Sequence, residues 1–188
     1  MLKKKSILTF VIIFLLNSTI LIANDKSKII DNINNIETLK FNFAQNSFDK
    51  KEYGVCFMKR PHFLKCIYDD KNKKELIINR GNLVIYHKRY KKKYYYPVSK
   101  SYFVEILNKK KFSDLILKGN INMNGEVFEI KYSAENKGKI TFFFNNKSFD
   151  LSGWEITDLN GNQTIFKIKN LEKNQNMDKK LFFIPEIN

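Results

Sequence analysis

The stretch YGVCFMKRPHFLKCIY, residues 53–68, holds both cysteines of the chain, Cys56 and Cys66, five residues on either side of Pro61. The runs flanking the Lys59-Arg60-Pro61 corner have the pattern of two strands joined by a turn. A hairpin symmetric about Pro61 sets Cys56 directly opposite Cys66. Facing Cα atoms in an antiparallel pair stand about 4.5 to 5.5 Å apart, inside the range of about 4.4 to 6.8 Å that a disulfide spans. Two roles stay open for the pair: a covalent brace, or two small apolar side chains in a sheet wall. By the same alternation Arg60 shares a face with Cys56 and Met58.

Outward from this hairpin the period of two continues. LKFNFAQNSF, residues 39–48, alternates Leu39, Phe41 and Phe43 with polar neighbours, and strand-like runs follow at 63–69, 75–80 and 83–88. Turn signals stand between them at Asp69-Asp70 and Arg80-Gly81. Ahead of the strands, KSKIIDNINNIE (26–37) spaces Ile29, Ile30, Ile33 and Ile36 for an amphipathic helix. In mid-chain, KSYFVEILNKKKFSDLILKG (100–119) places Phe103, Ile106, Leu107, Leu115 and Ile116 at helical offsets, as one long helix or two short ones.

Strands then resume at 125–133, 138–146, 147–158 and 163–172, with hairpin turns at Asn145-Asn146 and Asn160-Gly161. About ten short strands in meander order with two helical regions describe a mainly β fold, an antiparallel sheet curled on itself. Phe and Tyr together number 26, and several share one parity: Phe128, Ile130 and Tyr132, then Ile140, Phe142 and Phe144. Such a face forms either an ordinary aromatic core or the wall of an apolar cavity.

The N-terminus, MLKKKSILTFVIIFLLNSTILIAND, has Lys3, Lys4 and Lys5 followed by an apolar run from Ile7 to Leu16, the two parts of a secretory signal. Leu21 and Ala23 place cleavage after Ala23. Residues 1–23 are therefore expected to be a signal peptide and 24–188 a single exported domain. No cysteine stands at the cleavage point to be lipidated, so the expected product is a soluble periplasmic protein. An oxidising compartment also permits a Cys56–Cys66 bond. Without Lys3, Lys4 and Lys5 the formal charge falls from +15 to +12. That excess reflects either an AT-rich genome that inflates Lys, Asn and Ile, or attraction to anionic headgroups or an acidic partner.

Residues for catalysis are sparse. His62 and His87 lie at a turn and a strand end, the cysteines form no CxxC, and no carboxylates are spaced as an acid–base pair. No enzyme activity, metal or cofactor is expected. HKRYKKKYYYP, residues 87–97, joins basic residues to tyrosines that can stack on bases, but an exported protein meets no nucleic acid there. Lys91, Lys92 and Lys93 read more simply as a solvated turn, with Tyr94, Tyr95 and Tyr96 opening the next strand.

Taken in order, several short motifs resemble the periplasmic lipoprotein carriers of the LolA family. They are F-x-Q at Phe43 and Gln45, G-x-x-x-x-K-R-P from Gly54 to Pro61, and G-x-x-x-x-Y at Gly81 and Tyr86. Near the C-terminus come W-x-x-x-D-x-x-G at Trp154, Asp158 and Gly161, and L-F-x-x-P from Leu181 to Pro185. The resemblance spans essentially all of 24–188. It implies an incomplete antiparallel β-barrel of about eleven strands with a helical lid over an apolar cavity.

It also implies a non-enzymatic carrier, a monomer, that takes acylated lipoproteins from an inner-membrane ABC transporter (LolCDE-like) and delivers them to the outer membrane, in many bacteria to a receptor (LolB-like). Arg60 is then the residue that latches the lid. The lid is expected from Phe103, Ile106 and Leu107. The acyl-chain cavity is expected from Phe41, Phe43, Met58, Leu64, Tyr68, Ile78, Ile85, Phe128, Ile130, Phe142, Phe144 and Trp154. The same architecture also serves for an envelope sensor of lipid or polypeptide, and a filled barrel would instead be a secreted structural domain.

Overall fold

The computed structural model describes residues 25–48 and 50–186; the expected signal peptide and its cleavage point lie outside them. Helix α1 spans 25–34, and Ile29, Ile33 and Ile36 are all buried. Five strands follow: β1 (Thr38–Ser47), β2 (Lys50–Lys59), β3 (Phe63–Tyr68), β4 (Lys74–Asn79) and β5 (Asn82–His87). Next come β6 (Lys92–Pro97) and two helices, α2 (Phe103–Leu107) and α3 (Lys109–Lys118). The chain ends with β7 (Asn120–Asn124), β8 (Val127–Ala134), β9 (Gly138–Asn145), β10 (Leu151–Thr157) and β11 (Gln163–Lys173).

These strands form one eleven-stranded sheet in the order β6-β5-β4-β3-β2-β1-β11-β10-β9-β8-β7, with every neighbouring pair antiparallel. Curled but unclosed, it is an incomplete barrel with β6 and β7 as free edges. Alternation sets the register. In β3 every second residue is buried, Leu64, Cys66 and Tyr68, because only one face of the strand looks into the curl.

The hairpin at 53–68 is symmetric about Pro61: Gly54 faces Tyr68, Cys56 faces Cys66, and Met58 faces Leu64. Cys56 and Cys66 are joined by a disulfide across the ladder. Closing a loop of sequence separation 10 adds about 2 to 3 kcal/mol through the unfolded chain. A reductant is therefore expected to lower the unfolding free energy by that amount, read as a fall in the urea midpoint.

The mid-chain helical region is two helices because Asn108 adopts an extended backbone and its side chain accepts a hydrogen bond from the Lys111 amide, capping α3. Strand β7 was not expected. Its sequence, NINMN, sets Ile121 and Met123 in alternation with asparagines, but over only five residues and with Met123 63% exposed, as suits an edge strand. The expected strand over 147–158 shortens to β10, since the Asn145 side chain accepts from the amides of Lys147 and Ser148 and turns the chain there. Asp158 does the same for the last hairpin, accepting from the amides of Asn160 and Asn162 while Gly161 takes a φ of 83°. That geometry accounts for the Asp and Gly of the W-x-x-x-D-x-x-G motif.

Candidate functional site

The concave face divides into a filled half and a hollow half. Helix α3 lies on the filled half: the Phe112 ring stands 5.0 Å from Phe142 and 6.3 Å from Phe144, with Leu115 and Ile116 buried beside it. Helix α1 joins the same cluster through Ile29 and Ile33, with Ile36 following just past its end, and Lys26 ties it to α3 by donating to the carbonyls of Leu117 and Gly119. Phe128, Ile130, Phe142 and Phe144, expected in a cavity wall, are therefore packed core. Alternation places a residue on a face but is silent about what rests on that face.

Over the hollow half runs an apolar cleft of about 280 Å³. Its floor is Phe41 and Cys56 from β1 and β2, Leu64, Cys66 and Tyr68 from β3, and Leu76 and Ile85 from β4 and β5. Trp154, Ile156 and Phe166 make the far wall, and Phe103 of α2 reaches in from above. Of the expected wall, Phe41, Leu64, Tyr68, Ile85 and Trp154 meet here. Phe43, Met58 and Ile78 do not line it: Phe43 is buried behind, stacked on Phe166 at 4.8 Å, and Met58 and Ile78 are buried in the surrounding core.

A run of rings stiffens the wall. Trp154 stacks on Phe166 with centroids 4.2 Å apart, Phe166 on Phe43, and Phe43 meets Tyr68 edge-on at 5.0 Å. Sequence reading missed Phe166 and Ile156. Ile156 has the strand parity of Trp154, and Phe166 faces Trp154 directly in the ladder, but that pairing is fixed only by the fold.

One end of the cleft is polar. Lys74 pairs with Glu52 at 2.6 Å and lies 3.7 Å from the centre of the Tyr68 ring. The Tyr68 hydroxyl donates to Gln45 Oε1 at 3.0 Å, Gln45 donates to Ser47 Oγ, and Ser47 shares a hydrogen bond with Thr164. Burial pushes the Glu52 carboxyl up, but hydrogen bonds from Lys50 and Lys74 outweigh it and hold the group below the usual carboxylate range. Burial, with the nearby charges of Glu52 and Asp70, raises the Tyr68 hydroxyl well above its ordinary value. It stays a neutral donor at physiological pH.

Helix α2 is held down from the β8–β9 side. The Tyr102 hydroxyl donates to the Gly138 carbonyl at 2.8 Å, and Lys137 reaches the Ser101 carbonyl and the Glu105 carboxylate at 3.1 and 2.7 Å. Ile106 and Leu107 are buried beneath it. Phe103 packs edge-on against Trp154 at 6.4 Å. A second apolar space of about 220 Å³ lies on the other side of α2, and Phe103 and Ile156 line both.

Arg60 takes a different place from the one expected. Its guanidinium is buried, 8 % exposed, and rests over the Phe112 ring of α3 at 5.7 Å instead of bonding to helix carbonyls. The face of an aromatic ring, in place of a hydrogen-bond acceptor, meets its charge there. Nε and Nη1 have no hydrogen-bond partner among the described residues. Desolvation lowers the Arg60 pKa to about 10, against the pull of Glu37, so the group remains charged at neutral pH.

No helix among the described residues is long and apolar enough to cross a membrane. Solved structures share the fold at very low identity. An uncharacterized conserved protein from Thermus thermophilus superposes with a TM-score of 0.55 at 6% identity, covering 87% of this chain and 94% of that one. A DUF1329 family protein from Desulfovibrio piger gives 0.51 at 9%, covering 86% and 97%. The MucA/MucB complex of Pseudomonas aeruginosa gives 0.50 at 9%, covering 87% of this chain and 61% of that one. No curated protein matches the chain. Residues 34–185 match the family model described as outer membrane lipoprotein carrier protein LolA; with that match across most of its length, the chain belongs to the LolA family.

Proposed function

We propose that this protein is a periplasmic carrier that shields the acyl chains of lipoproteins between the inner and outer membranes. On this reading residues 1–23 direct export. An inner-membrane ABC transporter of the LolCDE kind loads the carrier, and the outer membrane, or a LolB-like receptor on it, unloads it. The observation that supports the reading is the hollow apolar cleft beside a packed core, roofed by one phenyl ring and closed by a five-residue helix.

The energetics require such a device. At about 0.8 kcal/mol per methylene, a sixteen-carbon chain left in water costs roughly 10 kcal/mol, and a triacylated anchor about three times that. At about 280 Å³ the closed cleft is at the lower edge of the roughly 300 to 1,000 Å³ of small-molecule sites, so α2 has to lift for several chains to enter. Displacing Phe103 joins the cleft to the space behind α2. Release is then favoured by what reforms on closure, the Phe103–Trp154 contact and the Tyr102 and Lys137 bonds.

Arg60 adds a separate cost, borne while α3 is seated. Leaving its donors buried without acceptors costs about 1 to 3 kcal/mol, and an amide or ester carbonyl at the acylated end of a lipoprotein would satisfy them once α3 shifts.

Phe103→Ala is expected to hold an acyl ligand roughly fivefold more tightly and to slow its transfer to acceptor membranes. The closed form loses an aromatic pair worth about 1 kcal/mol. Extraction tests the whole proposal: inner-membrane vesicles carrying the transporter and a triacylated lipoprotein are mixed with the protein and ATP. Lipoprotein in the soluble fraction, bound to this protein, is the expected result; its full retention in the vesicles would overturn the proposal.

A further inference from the structure

Between Leu76 and Val104 the chain has seven basic residues, Arg80, Lys88, Arg89, Lys91, Lys92, Lys93 and Lys100, and no Asp or Glu. The fold gathers five of them onto the β5–β6 connection and β6, the free edge of the sheet. Tyrosines crowd the same edge: Tyr90, Tyr94, Tyr95 and Tyr96 are 56%, 46%, 60% and 49% exposed. They are four of the ten exposed large hydrophobic residues among those described. Tyr94 and Tyr96 are exposed on one face of β6 and Tyr95 on the other, while Lys93 is held by the Pro185 carbonyl.

Register ties this edge to the cleft. Tyr94 faces Ile85 and Tyr96 faces Leu83 across the β5–β6 ladder, and Ile85 lines the cleft. One strand spacing, about 4.8 Å, therefore separates the cleft floor from the exposed Tyr94. A shallow depression beside it is lined by Asn72, His87, Tyr90, Lys92 and Tyr94. There His87 packs edge-on against Tyr94, and its Nδ1 has no hydrogen-bond partner among the described residues.

We infer that this edge docks on an anionic lipid surface, with the tyrosines at headgroup depth and the cations and the His87 depression against lipid phosphates. A tyrosine has an apolar ring and a polar tip and settles where a bilayer turns from headgroup to hydrocarbon. A cluster of lysines and arginines without intervening acids adds attraction to anionic lipids. A polypeptide strand pairing with the free edge is less well served, because Pro97 and the lysines obstruct such pairing. The location gives the docking a purpose: it brings the cleft floor at Ile85 to within one strand spacing of the docked edge. The inference does not rest on acyl-chain carriage and is tested on the empty protein.

The protein recovered after export is floated with vesicles of phosphatidylcholine alone or mixed with phosphatidylglycerol. At least roughly tenfold greater partitioning to the anionic vesicles is expected, weakening as ionic strength rises. The triple reversal Lys88→Glu, Arg89→Glu, Lys92→Glu should remove most of it, and Tyr95→Ser should lower it roughly threefold. A reversal of equal net charge at Lys110, Lys118 and Lys147, all exposed, should leave it unchanged. Unaltered Trp154 emission reports that each variant is folded. Equal partitioning to both vesicles, or equal loss from the two triple reversals, would overturn the inference. So would capture of an acidic polypeptide by an edge that binds no vesicle.

Discussion

Leu76→Trp is expected to weaken the holding of an acyl chain by more than about a hundredfold while leaving the fold intact. Leu76 lines the cleft from β4, between Cys66 of β3 and Ile85 of β5 in the ladder, and it is only partly buried. An indole there grows into empty space and displaces nothing that is packed. Excluding about four methylenes at about 0.8 kcal/mol each gives about 3 kcal/mol, which is a little over two decades in affinity. Equilibrium binding of a fluorescent fatty acyl probe measures it. Leu76→Met, which conserves volume, should bind almost as the parent does. Equal binding by the tryptophan variant would place the acyl site elsewhere on the molecule.

The second large effect falls on stability. Gly54→Ala is expected to cost about 3 kcal/mol, seen as a lowered urea midpoint. A Cβ at Gly54 would stand 2.1 Å from the Ile67 carbonyl oxygen and 2.8 and 2.9 Å from the Phe43 ring. The carbonyl belongs to the β3 backbone and the ring is stacked on Phe166, so neither yields without opening the sheet or the aromatic wall. Gly81→Ala is the contrast, since nothing lies within 4 Å of its added Cβ. It should be neutral or raise stability by up to about 1 kcal/mol through the unfolded chain. The glycine of G-x-x-x-x-K-R-P thus serves close approach of a strand to a ring, and through that ring the shape of the cleft.

Much of this architecture is legible in the sequence. Alternation about Pro61 fixes the β2–β3 register, and with it the opposition of Cys56 and Cys66. The same parity argument brings Phe41, Leu64, Tyr68 and Ile85 to one face. What alternation does not carry is occupancy. Phe142 and Ile85 have the same kind of pattern, but one lies under Phe112 and the other beside a void, and only the path of α3 distinguishes them. The polar end was equally hidden, because Gln45, Glu52, Lys74 and Thr164 come from four strands and acquire meaning only when the sheet brings them together. Arg60 was correctly placed on the inner face, yet its neighbour is a phenyl ring of α3, a detail of helix position that no strand pattern holds.

Trp154, the only tryptophan of the chain, lies at the meeting point of cleft, aromatic wall and lid, stacked on Phe166 and touched by Phe103. Its emission therefore reports on the central claim, that acyl chains enter this cleft beneath α2. Titration with a lipopeptide carrying brominated acyl chains is expected to quench Trp154 saturably at one lipopeptide per protein, with the Leu76→Trp substitution, made alongside Trp154→Phe, weakening binding of the unbrominated lipopeptide by more than about a hundredfold. A lipopeptide that binds while the emission of Trp154 stays unchanged would contradict it.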